Sequence, residues 1–295
     1  MNRYHAALLA PALLVLAVPA APQAASTALQ PVNLETVNTP KDEDDPFLGS
    51  NGLVLYYSSN AAGKFDIMIA TRPALTKPWL PGKPLEDYIQ TKVDDRSAFV
   101  TAEGHYPQFL YFATKKDQKT NNFDIYVSVK QREGVAFAAP TPLNTICTAA
   151  DELHPWLSAD GRDLYFSRRM GDEWHLYVAS RSSKGGAAGF GEPRRVKEIP
   201  ANFHHATLTP DGKTMYLQGP VGKGRWGLFR SSRSGSAWSE PVALEELNSP
   251  AAPTGDCSPS LSANGSLLYF SSDRPGGKGG MDLWAIRTAQ LPKGK

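Results

Sequence analysis

A hairpin signature written repeatedly along the chain limits its fold more than any other feature. Residues 155–167 and 259–271 share the pattern Pro-x-Leu-Ser-Ala-(Asp/Asn)-Gly-x-x-Leu-Tyr-Phe-Ser. Weaker copies surround Asn51-Gly52, Glu103-Gly104 and Asp211-Gly212. The turn glycines therefore fall at 52, 104, 161, 212 and 265, roughly 51–57 residues apart. Asp-Gly or Asn-Gly between alternating apolar runs is a strong hairpin signal, because both turn positions favour positive φ. Periods of this length indicate propeller blades or solenoid coils.

The content of each unit selects between the two. After the turn comes an apolar strand (Leu53–Tyr57, Leu110–Ala113, Leu164–Ser167, Met215–Gln218, Leu267–Ser271), then a polar loop and a third strand. The first four units add a segment patterned aromatic-x-x-(Pro/Gly)-x-x-aliphatic: Trp79–Leu85, Phe137–Leu143, Phe190–Val196 and Trp238–Leu244. Four short antiparallel strands per unit, without helical periodicity, predict an all-β, five-bladed β-propeller. The blades are expected at about 42–85, 94–143, 151–196, 202–244 and 256–287. The fifth unit lacks its fourth strand. Residues 28–38 match residues 238–248 at the proline, two aliphatics and the final asparagine. The N-terminal segment is therefore expected to complete the last blade and close the ring, which also removes an exposed sheet edge.

Residues 1–25 read as a secretory signal peptide, with Arg3 near the start, an apolar run from Ala6 to Ala21 and small residues up to Ser26. Cleavage is expected after Ala20 or Ala25, leaving one propeller over 26–295 in the periplasm or outside the cell, without a membrane span. A formal net charge of +2 argues against nucleic acid or an anionic membrane as a partner. A monomer is expected. Cys147 and Cys257 lie in connections of blades that are not neighbours, and a disulfide requires Cα atoms within about 7 Å. Two thiols are the simpler reading, with a bridge as the alternative.

The phrase Asp-Glu-x-x-Pro-x-Leu-Ser-x-Asp-Gly-x-x-Leu-Tyr-Phe-Ser, followed in the fifth unit by Ser272-Asp273-Arg274-Pro275-Gly276-Gly277, resembles the TolB-type (WD-like) β-propeller repeat. That resemblance implies a propeller of a type common in secreted and periplasmic bacterial proteins. The TolB propeller itself has six blades behind an α/β domain, whereas five repeats are legible in this chain. Propellers host binding, scaffolding and several chemistries, so the resemblance speaks to fold more than to function.

In such a ring the loops leading into inner strands and those joining second to third strands open on one face, here termed the funnel face. Aligned on the turn glycines, Glu43, Asp95, Glu152 and Asp256 occupy the same place before their inner strands, and the fourth unit has Phe203 there. A catalytic carboxylate is needed once or twice, whereas a structural device recurs in every unit. The four carboxylates are thus either backbone anchors or members of a polar funnel. His154, His204, His205, Arg168 and Arg274 complete the candidate ligand-binding set. His154 and His205 align in adjacent units and are the candidates for holding a metal. No cofactor is demanded by the pattern; a divalent cation is the one it could accept. No Gly-x-Ser-x-Gly elbow or phosphate loop occurs. The tryptophans mostly sit at repeat positions suited to packing, while Trp156 could reach the channel. The first reading is a binding module for a protein or cell-envelope glycan; the alternative is a glycoside hydrolase or polysaccharide lyase using rim carboxylates and histidines.

Overall fold

The computed structural model of the protein describes residues 29–85, 89–115, 121–181, 186–292. The expected signal peptide lies outside the described residues. Within them the chain forms five antiparallel sheets arranged as a five-bladed β-propeller, and its one helical element is a 3-10 turn at Thr288–Gln290. The inner strands are Glu43–Leu48, Asp95–Val100, Glu152–Leu157, His204–Leu208 and Asp256–Leu261. Each pairs with the strand after its turn, and that strand pairs with a third.

The outer strands are only two residues long: Lys83–Pro84, Thr141–Pro142, Arg194–Arg195 and Val242–Ala243. The sequence pattern predicts longer ones. Prolines and short apolar runs limit the pairing there, and the aromatic that opens each segment is used otherwise. Trp79, Phe137, Phe190 and Trp238 are buried. Each is capped by a cation from the end of the third strand, with Arg72, Lys130, Arg181 and Arg233 at 4.4, 5.7, 4.7 and 5.4 Å from the ring centres. In blade 4 a short extra ladder pairs Arg233–Ser234 with Ala237–Trp238.

The last blade takes its outer strand from the start of the chain. Val32 pairs with Ala285 and Asn33 with Trp284. The Asn38 amide donates to Leu283 O and its oxygen accepts from Leu283 N, at 3.0 and 2.8 Å. Leu34 and Val37 are buried among Leu48, Tyr57 and Leu283, between the last blade and the first. Comparable apolar clusters fill the other four seams between blades. Cys147 and Cys257 are both free thiols. Burial raises the Cys147 pKa to about 12, so it is an inert thiol in neutral solution.

Candidate functional site

The entry to each inner strand carries the same three-residue device. Its first residue is a buried carboxylate in four blades. Glu43 accepts from Thr39 N and Thr39 Oγ1, both at 2.7 Å. Asp95 accepts from Thr91 N and Oγ1, at 2.8 and 2.7 Å. Glu152 accepts from Thr148 N and Oγ1, at 3.0 and 2.6 Å, and Asp256 accepts from Ser249 N at 2.6 Å. Each carboxylate thus binds the preceding inter-blade connection to its inner strand. Arg168 Nε adds a 2.8 Å bond to Glu152, and Arg274 Nη2 a 2.5 Å bond to Asp256. These arginines also lie over aromatic rings of their own blades, Tyr177 for Arg168 and Phe270 for Arg274. Burial raises the Glu43, Asp95 and Glu152 pKa values, partly offset by these donors.

The third residue of the device carries the geometry that the sequence pattern did not announce. Asp45, Ser97, His154, His205 and Ser258 all have positive φ, between 50° and 58°. None is a glycine, and left-handed backbone costs such residues roughly 1–2 kcal/mol each. The strain is held in place from next door. Ser97 N donates to Ser58 Oγ, His205 N to Ser167 Oγ and Ser258 N to Gln218 Oε1, at 2.9–3.1 Å, each acceptor belonging to the preceding blade. A break in register follows in every inner strand.

Asp45, His154 and His205 meet in the channel. One donor atom from each lies within 4.8 Å of the other two. His154 Nε2 is 3.6 Å and His205 Nδ1 3.9 Å from Asp45 Oδ1. Asp45 Oδ1 and His205 Nδ1 have no hydrogen-bond partner although both side chains are buried. A cavity of about 20 Å³ adjoins them, enough for one water or ion. Arg96 holds the other side of the acid, with Nε 2.8 Å from Asp45 Oδ2 and Nη2 2.7 Å from Asp44 Oδ2. Burial pushes the Asp45 carboxyl up, but the Arg96 guanidinium outweighs it and holds its pKa below the usual carboxylate value.

The imidazoles stay neutral. Burial drives His154 well below its usual range and takes His204 down to about 3, each helped by the neighbouring histidines. His205 is lowered too, by burial, against the pull of Asp45. His204 differs in its neighbours. It stacks on Trp174 (5.1 Å, 18°) and meets Trp226 edge-on at 5.3 Å. Gln218 accepts from Ser258 N through its oxygen, so its amide hydrogens face His204 Nε2 at 3.2 Å. The proton of His204 therefore sits on Nδ1.

Of the residues singled out by sequence, the four carboxylates with Arg168 and Arg274 form separate anchors around the rim, while His154, His204 and His205 form one group. Sequence reasoning omitted Asp45, Arg96, Trp174 and Trp226 from the site. The available signal was positional. Asp45, His154 and Ser258 each precede a proline at the same place in the repeat.

No protein-family model matches the chain, and no curated protein matches it. Its fold is similar to solved structures. An α-L-arabinofuranosidase from Podospora anserina, solved with cellotriose, superposes with a TM-score of 0.62 at 12% identity, over 88% of this chain and 97% of that one. An endo-arabinase from Bacteroides thetaiotaomicron gives 0.59 at 14%, over 90% and 98%. TolB from Acinetobacter baumannii gives 0.50 at 14%, over 85% of this chain and 55% of that one. At such identities the likeness is one of fold. Among the described residues no helix is long and apolar enough to cross a membrane.

Proposed function

We infer that this is a secreted, periplasmic or extracellular binding propeller whose ligand, a cell-envelope glycan, docks on the funnel face over blades 3 and 4. The supporting observation is the pair of half-buried indoles, Trp174 and Trp226, on either side of His204 and beside the Asp45–His154–His205 cluster. In blades 1 and 2 the corresponding rings are already covered, Phe65 by Arg96 at 4.4 Å and Phe123 by Lys115 at 4.7 Å. Ring faces beside fixed polar groups suit a sugar, which offers both C–H surfaces and hydroxyls. Binding is favoured over hydrolysis by the rim, where each aligned carboxylate is engaged in holding a connection. A thermal-shift series with peptidoglycan fragments and arabino- and xylo-oligosaccharides tests this. Stabilisation by one of them, lost in Trp174→Ala and Trp226→Ala, is expected; a protein-only ligand would leave all of them silent.

A glycoside hydrolase is the second reading. The free oxygen of Asp45 and the hydrolases of like fold favour it. Such chemistry requires two carboxylates flanking the bond. Turnover of aryl arabinosides or xylosides that disappears in Asp45→Asn would establish it over simple binding.

A divalent cation belongs to the same proposal. Two imidazoles and one carboxylate suit zinc or nickel better than calcium, which prefers oxygen. The His154 and His205 rings, however, stack 3.8 Å apart and 15° from parallel. Nitrogen lone pairs lie in the ring plane, so both cannot aim at one point until a ring turns. Weak uptake is expected, seen as a small zinc-dependent rise in Tm that His205→Ala abolishes.

A further inference from the structure

An apolar hollow lies at the other end of the channel, away from His154, His204 and His205. It is a cavity of about 510 Å³ where the inner strands end in their hairpin turns. Ser50, Ala102, Ala159, Pro210 and Ala263, one equivalent turn residue from each blade, ring its mouth. Their small side chains leave the opening clear. Phe47, Phe99 and Trp156 form the floor and also line the small channel cavity above, so they partition the two sites.

These three aromatics occupy one register of the repeat. Phe47 pairs with Tyr56, Phe99 with Tyr111 and Trp156 with Tyr165, while Thr207 and Ser260 stand opposite the corresponding tyrosines of blades 4 and 5. The rings touch in succession, 4.7 Å from Phe47 to Phe99 and 6.3 Å from Phe99 to Trp156. All three are only partly buried although they sit at the centre of the molecule. Blades 1 to 3 thus give an aromatic wall and blades 4 and 5 give room.

The polar groups around the hollow identify what fits it. Ser50 Oγ donates to Glu103 Oε2 at 2.8 Å. Ser158 Oγ donates to Asp160 Oδ1 and accepts from Asp163 N, at 2.6 and 2.9 Å. Ser262 Oγ donates to Asn264 Oδ1 and accepts from Leu267 N, at 2.8 and 3.0 Å. Thr101 Oγ1 accepts from Phe109 N at 2.8 Å. Arg181 Nε donates to Gly161 O at 2.7 Å and its guanidinium lies on Phe190. These side chains are engaged chiefly at the turns, Ser50 with blade 2 and the others within their own blades, and the exposed His105 also lines the hollow. A sugar placed among them would lose water contacts and regain few hydrogen bonds, and each hydroxyl left unpaired would weaken its binding. An uncharged apolar molecule loses nothing of that kind, and a volume in the range of about 300–1,000 Å³ accepts one of drug-like size.

We propose that this hollow is a second binding site, for an uncharged aromatic or alkyl small molecule, on the face opposite the funnel. The probe is N-phenyl-1-naphthylamine, an uncharged dye that brightens in apolar surroundings, titrated into the protein with cellotriose as competitor. Saturable enhancement with one site per chain is expected, unaffected by cellotriose. Ala159→Trp and Ala263→Trp place indoles at exposed mouth positions, away from the core, and each should weaken binding at least tenfold with Tm unchanged. Trp174→Ala, at the funnel face, should leave dye binding intact, which separates this site from the glycan site. Absence of saturation, wild-type affinity in both mouth variants, or displacement by cellotriose would each overturn the assignment.

Discussion

At the scale of single residues the channel histidines are set by burial. His154, His204 and His205 have folded pKa values below the ordinary 6.5. Below pH 6.5 the unfolded chain therefore binds protons that the native state refuses. Their contribution is complete above the unfolded value and is lost as pH falls toward the folded one. The loss is about 1.4 kcal/mol per pH unit for each such histidine. The buried rim carboxylates, with raised pKa values, act in the opposite sense in acid. They cancel when two variants are compared. Urea unfolding from pH 7 to pH 5 should show a shallower decline in His204→Gln than in the wild type, and parallel curves would contradict a neutral buried His204. Arg96 is the counterpart residue, with two acids depending on it. Arg96→Met leaves Asp45 buried without its counter-charge and is expected to cost about 3–5 kcal/mol in chemical denaturation.

At the scale of the element, the unit of construction is the carboxylate that joins a connection to the next inner strand. Glu152 shows its use. Removing it frees Thr148 and takes from Arg168 its carboxylate partner, leaving its bond to Ile146 O at 2.7 Å and its contact with the Tyr177 ring. Glu152→Ala should therefore cost about 3 kcal/mol of stability, measured by urea titration, while leaving glycan affinity at the blade 3–4 tryptophans near the wild-type value. Glu152→Gln should cost less, because its amide oxygen still accepts from Thr148. A normal melting curve for Glu152→Ala would show that the latch is ornamental. The same repetition explains why these four acids drew attention in the sequence. A device present in four blades is conspicuous, whereas Asp45, present once, is hidden among unrelated third residues.

At the scale of the whole molecule, the ring is joined both outside and inside. Outside, the chain start completes the last sheet through Val32, Asn33 and Asn38. Inside, Ser258 of blade 5 donates to Asp44 of blade 1 at 2.6 Å, and Asp44 in turn receives Arg96 of blade 2. Deleting residues 29–38 removes the buried Leu34 and Val37, each worth about 1.5–3 kcal/mol, together with the strand pairing. At about 2–4 °C per kcal/mol, a drop in Tm of roughly 10–20 °C in one cooperative transition is expected. An unchanged Tm would mean the outer joint carries no load.

The five units, their hairpins and the borrowed outer strand were legible in the amino-acid order, because turn chemistry and strand alternation are local and repeat. Legible too was the grouping of His154 with His205, through equal position in adjacent units. What only the tertiary structure decided is which side chains converge. Whether an acid faces the channel or holds a connection depends on left-handed backbone at one residue and on an acceptor supplied by the preceding blade. The aromatic floor on the opposite face arises likewise, from three rings some fifty residues apart brought side by side by closing a circle. Neither local propensity nor spacing encodes such meetings, since they exist only once all five sheets are packed around a common axis.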